Sequence, residues 1–283
     1  MPDENVATES GREPEAGFRN VVCGIDSSGE SLDAARQGIA LAEEGAQYWA
    51  VSAWDPGPAV HAGVQAFDLM HQLRDESRTA LRRAKEALPE LQPILFKGRD
   101  IPALLAAIAN LEADLVCVGS HGTSRPAGVV FGSVASAMAH FATCSTLVAR
   151  APRPGGFPGL ILHANDGSPE SLTAARVAAQ IAARHASTIV TLHVGEDGQG
   201  VAEEAVAIIE TSGREPVMQV EQGSPHRRIV EVANETNASL VVMGSRGQTG
   251  LKALGSVSER VTHRAGCSVL IVRMASHPAR DED

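Results

Sequence analysis

The sequence predicts two similar α/β domains in one chain, each with a doubly wound parallel sheet of five strands. Three observations predict this fold class: the length, an internal repeat, and the alternation of apolar runs with helical segments. The 283 residues are about what two domains of ordinary size require. Hydrophobic residues make up 43% of the chain and aromatic residues only 3%, so the core must consist largely of Ala, Val, Leu and Ile.

An internal repeat divides the chain into two halves. Residues 26–36 read DSSGESLDAAR and residues 166–176 read DGSPESLTAAR, and three further matches follow in the same order. These are LVCVGSHG at 115–122 with LVVMGSRG at 240–247, Gly-Ser-Val at 132–134 and 255–257, and C-S-x-L-x-x-R at 144–150 and 267–273. Because such a repeat indicates a duplicated unit, we expect a first domain over residues 18–151 and a second over 159–275.

The segments outside these two domains differ from them in composition. Residues 152–158 are rich in Pro and Gly, which is typical of a linker. Residues 1–17 and 276–283 are polar, and we interpret both as disordered tails.

Within the first half, short apolar runs alternate with helical segments. The expected strands are Val21–Ile25, Tyr48–Trp54, Ile94–Phe96, Leu115–Val118 and Thr146–Ala149. The expected helices are Ser31–Glu44, Asp68–Leu88, Pro102–Leu111 and Val134–Phe141. This alternation predicts a parallel sheet covered by helices on both faces, and such sheets bind ligands at the carboxyl ends of their strands.

Composition argues against several classes of function. The net charge of −10 leaves no basic footprint for nucleic acid. The sequence contains no run of about 18 apolar residues, so we expect no membrane helix, and the acidic start lacks the pattern of a signal peptide. The four cysteines form no C-x-x-C pair and lie in or beside apolar runs, which favours core residues in a reducing cytoplasm over a redox pair.

The loop after the fourth strand carries the strongest chemical signal. Gly119 and Gly122 are followed, after nine further residues, by Gly132 and Ser133 at the start of a helix. Glycines let the backbone approach a phosphate closely and adopt conformations that other residues avoid, and unpaired N–H groups at a helix start attract anions. Ser133 either caps the helix or gives its hydroxyl to a phosphate. The alternative interpretation is a glycine-rich turn that only packs.

Further polar residues belong to the same predicted site. The Asp26 carboxylate, at the end of the first strand, can accept hydrogen bonds from a ribose or an adenine amine, or it can cap the next helix. Arg125 is the one cation of the first loop and a candidate contact for a polyphosphate. His121 is more typical of a hydrogen-bonding residue than of an acid or base. The histidines show no metal-ligand spacing, and we assign no catalytic residue.

These residues together resemble the universal stress protein family, roughly over residues 18–150 and 158–273. The ATP-binding members of that family carry the pattern G-x2-G-x9-G-[S/T], which residues 119–133 match in full. The resemblance implies an adenine nucleotide alpha hydrolase-like, Rossmann-like fold, with ATP (or AMP or ADP) as the ligand. Because the first loop holds one Arg and no Lys, we expect Mg²⁺ to help neutralise the phosphates.

The resemblance also implies a function and an assembly. The expected function is a nucleotide-dependent regulatory module in the stress response, with slow or no hydrolysis and with an unknown protein partner. The alternatives are a slow ATP hydrolase and a nucleotide-free scaffold for protein interactions. The two halves are expected to pack as a pseudo-dimer through Thr146–Ala149 and Val269–Val272, which would cover two exposed sheet edges. A homo-oligomer is also expected.

The site residues that the resemblance implies fall into two sets. In the first half they are Gly24, Asp26, Ser27, Ala53 (through its backbone, to adenine), Val118, Gly119, Ser120, His121, Gly122, Arg125, Gly132, Ser133 and Val134. In the second half they are Asp166, Val194, Gly244, Gly247, Gly255, Ser256 and Val257.

The second half departs from the pattern. Only seven residues separate Gly247 from Gly255, Ala164 stands at the position of Gly24, and Glu259 follows Ser256 with the spacing of a capping box. A loop two residues shorter can wrap a triphosphate less completely. We therefore predict that most of the ATP affinity lies in the first half. We also expect that a bulky residue at Gly122 weakens binding through backbone strain.

Overall fold

The computed structural model describes residues 17–60, 65–122, 131–196, 198–247 and 254–274. In the first half the strands are β1 (Asn20–Gly24), β2 (Gln47–Trp54), β3 (Gln92–Lys97), β4 (Leu115–Gly119) and β5 (Ser145–Ala149). The helices are α1 (Gly29–Leu41), α2 (Gly57–Val60), α3 (Ala66–Ala87), α4 (Asp100–Asn110) and α5 (Ser133–Phe141). Every strand and helix predicted for this half is present, with ends that differ by a few residues. The short α2 lies in a segment that the sequence pattern left without structure.

The second half repeats the same order of elements. Its strands are β6 (Leu160–Asn165), β7 (Thr188–Val194), β8 (Val217–Glu221), β9 (Leu240–Gly244) and β10 (Ser268–Val272). Its helices are α6 (Pro169–His185), α7 (Gly198–Glu210), α8 (Pro225–Glu235) and α9 (Ser256–Arg264). Residues 150–159, which include the predicted linker, contain no helix or strand.

The strands described in the two halves form one continuous sheet. Its order is β3-β2-β1-β4-β5-β10-β9-β6-β7-β8, and the pairs within each half are parallel. The strand order reverses direction after the first strand of each half, as in a doubly wound sheet. The two predicted five-stranded sheets are therefore joined edge to edge.

The junction between the halves is the pairing that the sequence predicted. β5 and β10 run antiparallel, with Val148 opposite Val269 and Leu147 opposite Leu270. The pairing satisfies backbone N–H and C=O groups that two free edges would expose. The predicted pseudo-dimer is thus a single sheet.

The repeated arginines of the C-S-x-L-x-x-R pattern reinforce this junction. The Arg150 guanidinium donates to the backbone oxygens of Cys267 (3.1 Å) and Thr262 (2.6 Å) in the second half. Arg273 reaches in the opposite direction and donates to the backbone oxygen of Cys144 (3.2 Å) and to that of Ala139. Burial lowers the pKa of both guanidinium groups, and the carbonyl oxygens supply the hydrogen bonds that a buried charge requires.

Helices cover both faces of the sheet, and the core differs between the two faces. On one face a single hydrophobic cluster runs through both halves beneath α1, α3, α6 and α7. On the other face one cluster lies beneath α4 and α5, and a separate cluster beneath α8 and α9. Cys23, Cys117, Cys144 and Cys267 are buried and free, as the core interpretation predicted.

Candidate functional site

A cleft in the first half lies at the carboxyl ends of β1, β2 and β4. Its cavity measures about 360 Å³, which is within the range of small-ligand sites. Each residue of the predicted first-half set that the structure describes lines this cavity, except Ser120. Arg125 lies outside the described residues. Segments that are far apart in the sequence therefore meet at one edge of the sheet. They are residues 24–27, 53, 118–122 and 132–134.

Ser120 has a structural position beside the cleft. It is buried, and its backbone N–H donates to the Ala149 oxygen at 2.8 Å. Its own backbone oxygen accepts from the Gly132 N–H at 2.8 Å, so the two ends of the loop meet here. Its hydroxyl lies 3.0 Å from His121 Nδ1. Ser120 thus joins the two ends of the loop through its backbone, whereas its neighbours Gly119 and His121 line the cavity.

The loop glycines are required by close packing, and the expectation that they adopt unusual backbone conformations was wrong. The backbone φ angle is not positive at Gly119, Gly122 or Gly132. A Cβ atom added to Gly122 would lie 2.8 Å from Asp26 Oδ2, and one added to Gly119 would lie 3.0 Å from Glu30 backbone carbon. Lack of a side chain lets the loop lie directly against β1 and the start of α1. The cost of a substitution here is therefore steric.

Asp26 orders the turn between β1 and α1 without capping the helix. Its Oδ1 accepts from the Ser28 N–H at 2.9 Å and from the Ser28 hydroxyl. Ser28 is the N-cap, since its hydroxyl oxygen accepts from the Ser31 N–H at 3.2 Å. The proposed capping role of Asp26 was therefore wrong. Its Oδ2 is the oxygen that faces Gly122 across the cleft.

The starts of α5 and α9 also differ from the sequence interpretation. Gly132 is the N-cap of α5 and Ser133 is the first helical residue, so Ser133 does not cap the helix. In α9 the cap is Gly255, so Ser256 and Glu259 do not form the predicted capping box. The Glu259 carboxylate lies 3.6 Å from His140 Nε2 on α5 instead. A glycine at the cap position leaves no side chain over the helix start.

Apolar residues of β2, α3 and α4 also line the cleft. They are Val51 and Ala53 on β2, Leu73 on α3 and Leu104 on α4. The Ala53 backbone oxygen accepts a hydrogen bond from the Ser77 hydroxyl at 2.9 Å. Sequence reasoning missed the contributions of α3 and α4, because their apolar positions carry the same pattern as any helix packed on a core.

The described lining of the cleft is acidic. Asp26, Asp55, Glu76 and Asp100 all line it, and no lysine or arginine does so among the described residues. Burial raises the pKa of Asp100, and the charges of Asp26 and Asp55 raise it further. An anionic ligand must therefore bring or recruit positive charge into the cleft.

In the second half, side chains engage the groups that would face a phosphate. The buried Glu170 carboxylate accepts from the Ser245 hydroxyl (2.8 Å), the Arg246 N–H (2.5 Å) and Arg246 Nε (2.7 Å). Arg246 stands at the position of His121, and Gly244 packs on Glu170 as Gly119 packs on Glu30. An internal carboxylate thus interacts with the loop where an anion would bind.

In the second half, the start of α7 packs against the ends of β6 and β7. The Asn165 amide donates to the Val201 oxygen of α7 at 2.8 Å, and His193 Nδ1 lies 3.0 Å from the Asn165 oxygen. A Cβ atom on Gly198 would collide with the His193 ring. α7 is therefore held close to the carboxyl ends of these two strands.

The predicted second-half residues come together locally even so. Asp166 Oδ1 accepts from the Ser168 N–H at 3.0 Å, and Gly247 lies against Asp166 Oδ2. Gly255 N–H donates to the Ser245 oxygen at 2.7 Å. Val194, at the end of β7, and Val257, on α9, pack against the hydrophobic cluster beneath α8 and α9. Ser256 is the first residue of α9. The backbone contacts around Asp26, Gly122 and Gly132 in the first half are thus repeated around Asp166, Gly247 and Gly255 in the second half.

Two further properties concern ligands and location. Among the residues that the structure describes, no group of three His, Cys, Asp or Glu side chains is arranged to hold a metal ion. Within the same residues, no helix combines the length and the apolar character that crossing a membrane requires.

Comparison with known proteins identifies the family. The family model described as the universal stress protein family matches residues 17–150 and 196–273. A universal stress protein of Mycobacterium tuberculosis is 30% identical, over 90% of this chain and 97% of its own. The crystal structure of a universal stress protein from Archaeoglobus fulgidus superimposes with a TM-score of 0.70 at 22% identity, over 90% of this chain and 98% of that one. The chain belongs to the universal stress protein family.

Proposed function

We propose that the first half binds one adenine nucleotide, ATP with Mg²⁺, and that the protein is a nucleotide-dependent regulatory module. The observation that carries the proposal is the convergence of the complete G-x2-G-x9-G-S pattern with Asp26 and Ala53 on one cavity. These groups lie at the carboxyl ends of parallel strands, where doubly wound sheets bind their ligands.

The two ends of the cleft suit the two ends of a nucleotide. Apolar side chains beside β2 favour the base, and the backbone of Ala53 offers it hydrogen bonds. Asp26 suits the ribose, because a carboxylate accepts from hydroxyl groups. α5 begins without a side-chain cap, and Ser133, its first residue, lines the cavity. The N–H groups at this helix start would attract an anion, and the Ser133 hydroxyl is proposed to donate to it.

The acidic lining supports a requirement for Mg²⁺. The described residues hold no metal site of their own, and Mg²⁺ is commonly bound by substrate phosphates with one or two carboxylates. Bound Mg²⁺ would reduce the repulsion between the phosphates and Asp26 or Asp100. Arg125 is proposed to supply the remaining positive charge.

The second half is proposed not to bind nucleotide. Its loop is two residues shorter, and Glu170 already accepts the hydrogen bonds of Ser245 and Arg246. The start of α7 is also held against the end of β6, since the Asn165 amide donates to the Val201 oxygen at 2.8 Å. A nucleotide would have to displace a buried carboxylate and open that contact, which costs free energy that the first site does not require.

Hydrolysis is proposed to be slow at most. Phosphoryl transfer to water requires a positioned water molecule, a base and stabilisation of charge at the γ-phosphate. His121 is the titratable loop side chain described near the phosphate end, and its Nδ1 lies against Ser120 rather than towards the cavity. Binding without rapid turnover suits a protein whose partner contacts depend on nucleotide occupancy.

Analysis of bound nucleotide tests the proposal. Purified protein is incubated with an equal mixture of Mg-ATP and Mg-GTP, freed of unbound ligand and denatured, and the released nucleotides are identified by chromatography. The proposal predicts adenine nucleotide at about one equivalent per chain, with ATP recovered largely intact. Absence of any nucleotide would support the scaffold alternative, and complete conversion to ADP within minutes would support the hydrolase.

A further inference from the structure

An aromatic contact joins the predicted phosphate loop of the first half to the second half. The rings of Phe131, at the end of that loop, and His263, on α9, have centroids 4.2 Å apart and planes inclined by 30°. Both residues are half-buried. Burial lowers the pKa of His263, and the nearby His140 and Arg150 act in the same direction, against the opposing charge of Glu259. These effects favour the uncharged form of the His263 ring in its contact with Phe131.

Phe131 is covalently linked to the phosphate end of the cleft. The next residue, Gly132, caps α5 and donates its N–H to the Ser120 oxygen. Gly132, Ser133 and Val134 all line the cavity, whereas Phe131 faces α9. The position of the Phe131 ring thus limits where the backbone can present the first N–H groups of α5.

Among the ring pairs of the described residues, none mirrors this contact across the pseudo-two-fold axis. His140 occupies in α5 the place that His263 occupies in α9, seven residues after the Ser of Gly-Ser. The residue matching Phe131 is Leu254, which has no ring. His140 instead lies 3.6 Å from Glu259 and 2.8 Å from the Ser136 oxygen. This difference between His263 and His140 indicates that, of the two histidines, His263 is the one that contacts the first-half loop through an aromatic ring.

We propose that His263 is a positioning residue for nucleotide binding in the first half, acting through Phe131. The second half then contributes a side chain to the assembly of the first site although it holds no ligand itself. This inference rests on the proposed function, because it concerns affinity for Mg-ATP at that site. Since an aromatic pair contributes a modest but measurable stabilisation, removal of the ring should weaken Mg-ATP binding about two- to tenfold.

Calorimetric titration with Mg-ATP tests the inference in four full-length proteins. They are the wild type, His263→Ala, His263→Phe and His140→Ala. We expect weaker binding only in His263→Ala, near wild-type affinity in His263→Phe, which keeps a ring against Phe131, and near wild-type affinity in His140→Ala, the matched control. Urea unfolding of each variant establishes that it is folded.

Amide hydrogen exchange without nucleotide provides a second readout. Residues 131–135 should exchange faster in His263→Ala than in the wild type and in His140→Ala. Unchanged exchange in His263→Ala, or equal loss of affinity in His263→Ala and His140→Ala, would overturn the inference. If the wild type binds no Mg-ATP, the proposed function fails, and the exchange of residues 131–135 still decides whether His263 positions this segment.

Discussion

Replacing Gly122 with valine places a side chain against the Asp26 carboxylate. The added Cβ atom lies 2.8 Å from Asp26 Oδ2, whereas ordinary contact begins at about 3.4 Å, so the carboxylate must move by several tenths of an ångström. Asp26 Oδ1 is held by the Ser28 N–H at 2.9 Å, which leaves little freedom to move without rotating the group. Oδ2, the oxygen proposed to accept from the ribose, is displaced first.

The expected loss is that of one hydrogen bond to a charged group. Such bonds contribute about 1.5–3 kcal/mol, so Gly122→Val should bind Mg-ATP about tenfold to over a hundredfold more weakly. Because φ at Gly122 is not positive, the loss comes from collision and displacement rather than from backbone strain. Isothermal titration calorimetry measures the affinity.

The repeat supplies a matched control for this variant. Valine at Gly247 places its Cβ atom 2.4 Å from Asp166 Oδ2, closer than the 2.8 Å at Gly122, so Gly247→Val disturbs the fold locally at least as much as Gly122→Val does. We expect its Mg-ATP affinity to stay within about twofold of the wild type. Equal losses in the two variants, or wild-type affinity in Gly122→Val, would refute the reasoning.

Two further predictions concern stability. Val148→Pro removes a backbone donor from the strand pairing at the junction and should lower the free energy of unfolding by at least about 1–3 kcal/mol; an unchanged thermal midpoint would contradict it. His163 is buried, and burial lowers its pKa to about 4, so the unfolded chain gains a proton below about pH 6.5 that the folded chain takes up only near pH 4. Stability should therefore fall by about 3 kcal/mol between these values, and in His163→Leu urea midpoints should fall less steeply over that range.

The repeat and the apolar periodicity were sufficient to predict the fold. Duplicated motifs predict two similar five-stranded units, and an exposed fifth strand in each unit has a strong physical reason to pair with its equivalent. The antiparallel pairing of β5 with β10, with Val148 opposite Val269, agrees with that argument and with the assembly that the family resemblance implied. The arginines at 150 and 273 were visible as part of the repeat, but which atoms they reach depends on tertiary structure.

The residues that line the cleft were predicted in part. The glycine spacing and the predicted strand ends indicated that Asp26, Ala53 and the loop glycines lie together, and all of them line one cavity. The glycines are required there by close packing rather than by backbone conformation. The prediction of a capping box at Ser256 and Glu259 was wrong, because Gly255 is the N-cap and the Glu259 carboxylate lies 3.6 Å from His140 Nε2. Contributions from α3 and α4, and the Glu170–Arg246 pair, were not predicted because they join residues with no characteristic spacing.

Titration of the intact wild-type chain with Mg-ATP tests the central claim most directly. The cavity of the first half, together with the hydrogen bonds of Glu170 to Ser245 and Arg246 in the second half, predicts a single binding site per chain. Removal of Mg²⁺ with a chelator should weaken binding, because the described lining of the cavity is acidic. Two sites of matched affinity per chain, or no heat of binding at any concentration up to millimolar ATP, would contradict the account.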